Sequence, residues 1–497
     1  AGGAVSQGTA FFTVDFYALS LFQLTPMLSA GVVSWIQNAR LTGRRDRVIA
    51  GTLAGACIPI AAFASAGTWY RGFHFLIGND PWRETITESV SLLSAPGLPP
   101  FPFAAELFSG LIYLVPILLW FLFRDIRTGT APVRSIIVIT WLTLFTLLML
   151  RQQRYAHQAS IPFAAGIVLA GPAIVAAVRR LSVLTRGTVI VFLCLSAVPP
   201  IHLQMFTFRT GNNLLTRINA PRYRALQWLR ETTPVPGDFH APETKPAYGI
   251  MNPWDMGHWI TWISRRAPVA NNHGTEPGGH REGMLASCRF YSTKNAAEAR
   301  SILEDTRARY VLTESNWLKL AGFAHVTGQL AEMTAGTASE IVSMRLHSFD
   351  GSDTFLPVKD GARFPVTGLD HYRLVYESPE TEVLAAWSVP SVIKIFESVP
   401  GARLAVPPDA TPPLMLTANV ISNTGRTFKW NRVHHTAQDF IICPYATGLN
   451  GTSTRVEGPV YLRWADGMAV YRVPETAVLN GETVILNPHN SQTQAPP

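Results

Sequence analysis

The sequence is short of charge, of cysteine and, over its first half, of lysine. Only 15% of its 497 residues are Asp, Glu, Lys or Arg, against roughly 25% in soluble domains. No lysine precedes Lys245, although arginine is common before it. The four cysteines, Cys57, Cys194, Cys288 and Cys443, form no Cys-x-x-Cys pair, and no histidines have metal-ligand spacing. Collagen-like, coiled-coil and disulfide-scaffold classes are excluded on composition. The 47% hydrophobic content excludes intrinsic disorder. No Lys/Arg-rich tract with interleaved aromatics occurs, so the formal net charge of +8 does not point to nucleic acid.

What is abundant is apolar sequence, concentrated in the first ~205 residues. A membrane-spanning helix needs roughly 20 mostly apolar residues. Six segments qualify or come close, at about 10–37, 48–68, 104–123, 135–150, 160–178 and 187–204. The fourth is short, and the first carries Asp15, Gln23 and Pro26. Arginines concentrate in every second connection: Arg40, Arg44, Arg45 and Arg47 after the first segment, Arg124, Arg127 and Arg134 after the third, Arg179, Arg180 and Arg186 after the fifth, while the others carry only Arg71, Arg83, Arg151 and Arg154. By the positive-inside rule these loops are cytoplasmic. The loop at 69–103, the loop at 151–157 and everything after ~205 are then external. The expected organisation is a membrane domain over 1–204, an external α/β domain over 205–402 and a β-rich part over 403–497.

In the external half, Ala225–Arg230 reads as a short helix and Trp254–Gly257 as a turn. Ala296–Asp305 has helical periodicity and leads into a strand at Tyr310–Thr313. Further strands are expected at Ile341–Leu346, Tyr372–Tyr376 and Val392–Phe396, and in the tail at Val460–Trp464 and Met468–Val473. Cys288 and Cys443 are free to pair if the domain is extracytoplasmic, but spacing alone does not decide it.

Four features carry candidate chemistry, each with a plainer alternative. Glu88 lies in Thr85-Ile86-Thr87-Glu88 on the long external loop. A loop carboxylate is ordinarily solvated, but one at a membrane surface can bind a substrate amide or a divalent cation. Trp254 and Asp255 precede Met256-Gly257; an Asp there is commonly a local cap, or it accepts a hydrogen bond from a hydroxyl. Arg151 and Arg154 end an apolar run on the external side. They either snorkel or meet a lipid-linked phosphate. Asn316-Trp317-Leu318-Lys319 follows a strand and reads most simply as a helix start.

In this order the motifs resemble the catalytic subunits of oligosaccharyltransferases, the PglB/AglB type. Thr85–Glu88 is similar to the family's Thr-Ile-x-Glu loop, and Pro253-Trp254-Asp255-Met256-Gly257 to its Trp-Trp-Asp-x-Gly motif. Ala270-Asn271-Asn272 resembles a following Asp-Asn-Asn, and Asn316-x-x-Lys319 an Asp-x-x-Lys element. Tyr372–Ser378 and Lys394–Glu397 resemble strands of prokaryotic members. The resemblance implies a GT-C-like membrane fold and transfer of a glycan from a polyprenyl-(pyro)phosphate carrier to asparagine of Asn-x-Ser/Thr acceptors. It implies that Glu88 contacts the acceptor amide and a Mg or Mn ion. Trp254 and Asp255 bind the Ser/Thr hydroxyl, supported by Asn316 and Lys319, while Arg154 meets the pyrophosphate. The partners implied are a lipid-linked glycan donor, an acceptor peptide or protein and the bilayer. The location implied is the cell membrane, multi-pass, with the C-terminal domain outside.

Three departures qualify the resemblance. Pro253 stands where the family has its first Trp, and Asn316 where it has Asp. No Asp-x-Asp, the family's further metal ligands, occurs in the chain. The expectation is therefore a C-terminal portion, inactive alone, with the other ligands and helices N-terminal to it. The alternatives are a GT-C-fold transferase acting on a lipid or hydroxyl acceptor, and a non-catalytic membrane-anchored relic.

Overall fold

The computed structural model describes residues 110–129, 132–152, 155–194, 219–241, 244–271, 279–314, 317–329, 339–357, 363–380, 382–384, 387–389, 391–449 and 453–485, with isolated positions at 45, 48, 52 and 337. The chain divides into two compact units between Arg217 and Ile218.

The N-terminal unit, as described, is helical. Helices α1 (Val115–Thr128), α2 (Pro132–Arg151) and α3 (Ala156–Arg179) pack on one another through Leu118, Phe121, Leu142, Met149, Phe163 and Ala170. Helix α4 (Val183–Cys194) follows. Gly129, at φ 72, closes α1 by donating its N–H to Asp125 and Ile126, a left-handed cap that glycine adopts without a Cβ clash. Pro132 opens α2, where the missing N–H would have had no helical partner. The expected segment at about 135–150 is therefore longer than its apolar core suggests. Two of the described helices, over Val133–Arg151 and Gln158–Arg179, are long and apolar enough to cross a membrane. Their outward faces are apolar: Ile137, Leu144, Leu147, Ile161 and Val168 are exposed. The segments expected at about 10–37 and 48–68, apart from positions 48 and 52, and the loop at 69–103 lie outside the described residues.

The second unit begins with α5 (Ala220–Thr232). Asn219 caps it, accepting the N–H of Arg222 at 3.1 Å. One face, Ala225, Leu226 and Leu229, is buried against a four-stranded sheet. That sheet runs in the order β1 (Gly249–Met251), β2 (Ala308–Glu314), β4 (Ile393–Ser398), β3 (Tyr372–Glu377). Strands β1 and β2 are parallel; β2–β4 and β3–β4 are antiparallel. A parallel pair needs a crossover. Here it holds a helical segment over Trp254–Ser264, then α6 (Gly279–Ser292) and α7 (Ala296–Thr306). Asn295 caps α7 by accepting from Ala297 and Glu298, and α7 delivers the chain directly into β2.

Helices α8 (Trp317–Val326) and α9 (Val342–Phe349) follow β2. The strand expected at Ile341–Leu346 is thus a helix. Val342, Ser343, Met344, Leu346 and His347 are all buried, so the alternation seen in the sequence does not separate two faces. Tertiary packing overrides the local β preference of Ile and Val. Likewise, Trp254–Gly257 is not an isolated turn. It opens a helix that passes from a 3-10 turn (Trp254–Met256) into a π turn (Ile260–Ser264).

Beyond residue 401 the chain is β-rich. Strands β5 (Ala402–Ala405), β6 (Leu414–Ile421), β7 (Thr427–His434), β8 (Phe440–Cys443), β9 (Gly448–Leu449), β10 (Arg455–Val456), β11 (Val460–Trp464), β12 (Gly467–Tyr471) and β13 (Thr483–Val484) form a six-stranded and a three-stranded sheet. Along β6, Leu414, Leu416, Ala418 and Val420 point inward while their neighbours stay half-buried, the period-two pattern of a sheet with one face on a core. Trp430, Tyr445, Leu462 and Tyr471 complete that core. Cys288 and Cys443 are both free and buried, on α6 and β8. Burial pushes both thiols up to about 12.

Candidate functional site

The two parallel strands end side by side, with Met251 of β1 opposite Val311 of β2. In open α/β sheets the ground outside the carboxyl ends of parallel strands is where ligands bind. The segment after β1 carries Pro253, Trp254 and Asp255, and β2 ends on Glu314.

Asn252 fixes the first of these segments. Its buried amide donates to the carbonyls of Pro253 (2.7 Å) and Ala270 (2.9 Å) and accepts from Val269 N–H (3.1 Å). Ser287 of α6 donates to the Asn252 carbonyl at 2.7 Å. Gly257 then packs against the 270–271 backbone. A Cβ built there would lie 2.2 Å from the Ala270 oxygen and 2.6 Å from Asn271 Cα. At φ −56 its conformation is ordinary; the glycine is required for close approach, not for a left-handed turn.

Lys319, on the first turns of α8, is the hub of the charges. Its ammonium lies 2.6 Å from Asp255 Oδ2 and 2.6 Å from Glu314 Oε2. Glu314 is gripped from the other side by Arg222 of α5, Nε to Oε1 at 2.9 Å and Nη2 to Oε2 at 3.0 Å. The result is a line of alternating charge, Asp255–Lys319–Glu314–Arg222. Burial opposes the charge on Glu314, but Lys319 and Arg222 outweigh it and hold its carboxyl down at about 2. Burial likewise opposes the Lys319 charge, and Glu314 and Asp255 outweigh it, raising the ammonium pKa. Both groups are therefore ionised at neutral pH. The line ends unsatisfied: Asp255 Oδ1 is buried and accepts no hydrogen bond, although the Asp255 side chain as a whole is 32% exposed. Such an orphan acceptor costs about 1–3 kcal/mol and asks for a donor. Behind the pair lies a cavity of about 20 Å³, room for one water, lined in part by Pro253, Tyr291, Glu314, Lys319 and Phe323.

Of the residues singled out in the sequence, the structure brings Asp255 and Lys319 into contact, with Trp254 beside them in the chain. Glu88, Arg154 and Asn316 lie outside the described residues. Asn252, Glu314 and Arg222 were not singled out. Glu314 and Arg222 are 92 residues apart in sequence, a pairing no local pattern announces. Among the described residues no group of three or more His, Cys, Asp or Glu could hold a metal ion. The expected cation ligand, Glu88, is not among the described residues.

Known proteins match part of this region and the β-rich part beyond it. Residues 220–317 match the family model described as the AglB core domain. Residues 401–484 match the archaeal glycosylation protein B long peripheral domain. The chain is 26% identical over 205 residues to dolichyl-phosphooligosaccharide-protein glycotransferase 3 of Archaeoglobus fulgidus, a match covering 32% of this chain and 23% of that protein. The chain thus spans about a quarter of the length of this curated relative. Two solved structures of the Archaeoglobus fulgidus oligosaccharyltransferase share its fold. One, AglB in complex with an inhibitory peptide and a dolichol-phosphate, has TM-score 0.69 at 18% identity, over 96% of this chain and 69% of that one. The other, in complex with Zn and sulfate, has TM-score 0.59 at 18% identity over the same shares. Residues 220–317 and 401–484 are thus similar to the core and long peripheral domains of AglB-type proteins, and the fold is that of the solved Archaeoglobus fulgidus oligosaccharyltransferase.

Proposed function

We propose that this chain is part of a glycosyltransferase that moves a glycan from a polyprenyl-(pyro)phosphate carrier to the asparagine of Asn-x-Ser/Thr acceptors. The observation that carries the reading is the orphan acceptor Asp255 Oδ1, on a carboxylate whose other oxygen is fixed by Lys319. A Ser or Thr hydroxyl two residues past the acceptor asparagine supplies the missing donor. A site built for a hydroxyl strongly penalises its absence, because the buried polar group is then left unpaired. Trp254 forms the apolar wall beside it. Asn252 and Gly257 set the backbone path that presents both side chains.

The amide nitrogen of asparagine is a poor nucleophile, since its lone pair is delocalised into the carbonyl. Holding the acceptor by its hydroxyl positions that nitrogen for attack. In the same reading Glu88 accepts from the acceptor amide and is the residue of this chain to which a divalent cation is assigned, Asn316 supports the hydroxyl pocket together with Lys319, and Arg154 meets the carrier phosphate. The exposed apolar faces of α2 and α3 support a membrane domain over 1–204, GT-C-like and multi-pass. An extracytoplasmic α/β domain over 205–402 and a β-rich part over 403–497 complete it. The bilayer, the lipid-linked donor and an acceptor peptide are then the partners.

Pro253 supports a second reading, a transferase with a non-asparagine acceptor. Pro253 lines the small cavity at the place where the resemblance calls for a Trp wall. Glycan transfer by the full-length gene product separates the two. Transfer to an Asn-x-Thr peptide is expected in the wild type and to fall about 100-fold or more in Asp255→Ala. Undiminished transfer in that variant rejects the hydroxyl pocket, and undiminished transfer in Glu88→Gln rejects the role given to Glu88.

A further inference from the structure

We propose that Glu314, held by Arg222, is the positioning residue that keeps Lys319 on Asp255 and so sets the strength of the acceptor-hydroxyl pocket. The inference rests on the pocket reading above and extends it to two residues that no motif marks.

Three observations carry it. Lys319 is shared evenly, at 2.6 Å from each of two carboxylates, so its place depends on both. The Glu314 side chain is 5% exposed and cannot turn away into water. Its two oxygens are both engaged by Arg222, a planar fork matched to a carboxylate. Asn316 sharpens the argument. The resemblance calls for an acid three residues before the lysine, and Asn316 carries no charge. Glu314, two residues earlier in the sequence and the last residue of β2, supplies a carboxylate to Lys319 instead. With Glu314 in place, the ammonium divides its charge between two partners and leaves Asp255 a full acceptor for the substrate. With Glu314 neutralised, Lys319 and Arg222 each lose one charged partner. Neither residue touches substrate; both act through Lys319.

The test is binding of two fluorescent peptides, Asn-Val-Thr and Asn-Val-Val, to the full chain in lipid nanodiscs, with thermal unfolding as a check on the fold. The pair differs by a hydroxyl against a methyl. Wild type is expected to prefer Thr roughly 10- to 100-fold, the range for a hydrogen bond to a charged group. Glu314→Gln is expected to narrow the preference below about 3-fold, chiefly by weakening the Thr peptide. Glu314→Asp, which keeps the charge, is expected to retain most of it. If Glu314→Gln does not fold, Arg222→Lys is read in its place, with the same direction expected. A wild type without preference overturns the pocket reading itself. A preference that survives intact in the folded Glu314→Gln or Arg222→Lys variant overturns the positioning role while leaving the pocket standing.

Discussion

Two lines of buried charge run through the external unit, and they end differently. The line Arg222–Glu314–Lys319–Asp255 stops at an oxygen with no partner. The other joins the α/β sheet to the β-rich part. Lys394 donates to Asp350 and to the His347 carbonyl, both at 2.7 Å. Arg426, between β6 and β7, grips Asp350 and Glu377, and Ser422 and Thr424 donate to Glu377 as well. Every charge there has its partner. Parallel contacts continue the joint: Arg373 binds Glu397 and Glu475, and Arg432 binds Asp353 and Asp370. A closed network of this kind serves structure. Of these two lines, only the one through Asp255 ends on an unpaired carboxylate oxygen. Burial does not distinguish them, since Glu314 and Glu377 are both almost fully buried.

The sharpest way to break this comparison is to damage the closed network. Arg426→Ala leaves the buried Glu377 uncompensated and is expected to cost about 3–5 kcal/mol of stability, read by urea unfolding. The Thr-over-Val preference should not change while the protein remains folded. Loss of peptide preference with little loss of stability would reverse the two assignments. Gly257→Ala is expected to do less to stability, about 1–3 kcal/mol as overpacking, and more to the preference. Its Cβ displaces the 270–271 backbone against which the Asp255 segment rests.

The smallest expected effect is in the pH profile. Burial, reinforced by Lys394, lowers the His347 imidazole to about 3 from an ordinary 6.5. The folded state therefore keeps His347 neutral where the unfolded chain takes up a proton. Its contribution is fully present above pH 6.5 and is lost as pH falls toward 3. His371 and His434 are shifted in the same direction, each first by burial. Glu314 adds a second, lower window: ordinarily at 4.5 and held at about 2, it contributes above 4.5 and is lost as pH falls through 2. Unfolding free energies between pH 7 and 5 should decline in the wild type and decline less in His347→Gln. Equal slopes would show that His347 is not protected from protonation in the folded state.

Much of the framework is legible in the sequence because local and tertiary preferences agree there. Asn295 caps the helix expected at Ala296–Asp305, and the chain passes at once into the expected strand. Val460–Trp464 alternates and is a strand with those bounds. Where the two disagree the sequence misleads. Ile341–Leu346 carries β-branched residues but is buried all round as part of a helix, α9 with the residue before it. Trp254–Gly257 reads as a turn because Pro253 breaks the strand and Gly257 follows, yet Gly257 is there for contact with residues 270 and 271. The site was half visible. Asp255 and Lys319 stood in recognisable motifs; their partners Glu314 and Arg222 meet across 92 residues and become visible only when β2 and α5 are folded together. Glu314 has one local signal in the sequence, an acid directly after the strand expected at Tyr310–Thr313.

The most direct measurement is a structure of the chain with an Asn-Val-Thr peptide. The account places the Thr hydroxyl about 2.7 Å from Asp255 Oδ1, with Lys319 still on Oδ2. A peptide whose hydroxyl points elsewhere, or an Asp255 Oδ1 that finds its donor within the protein, contradicts it.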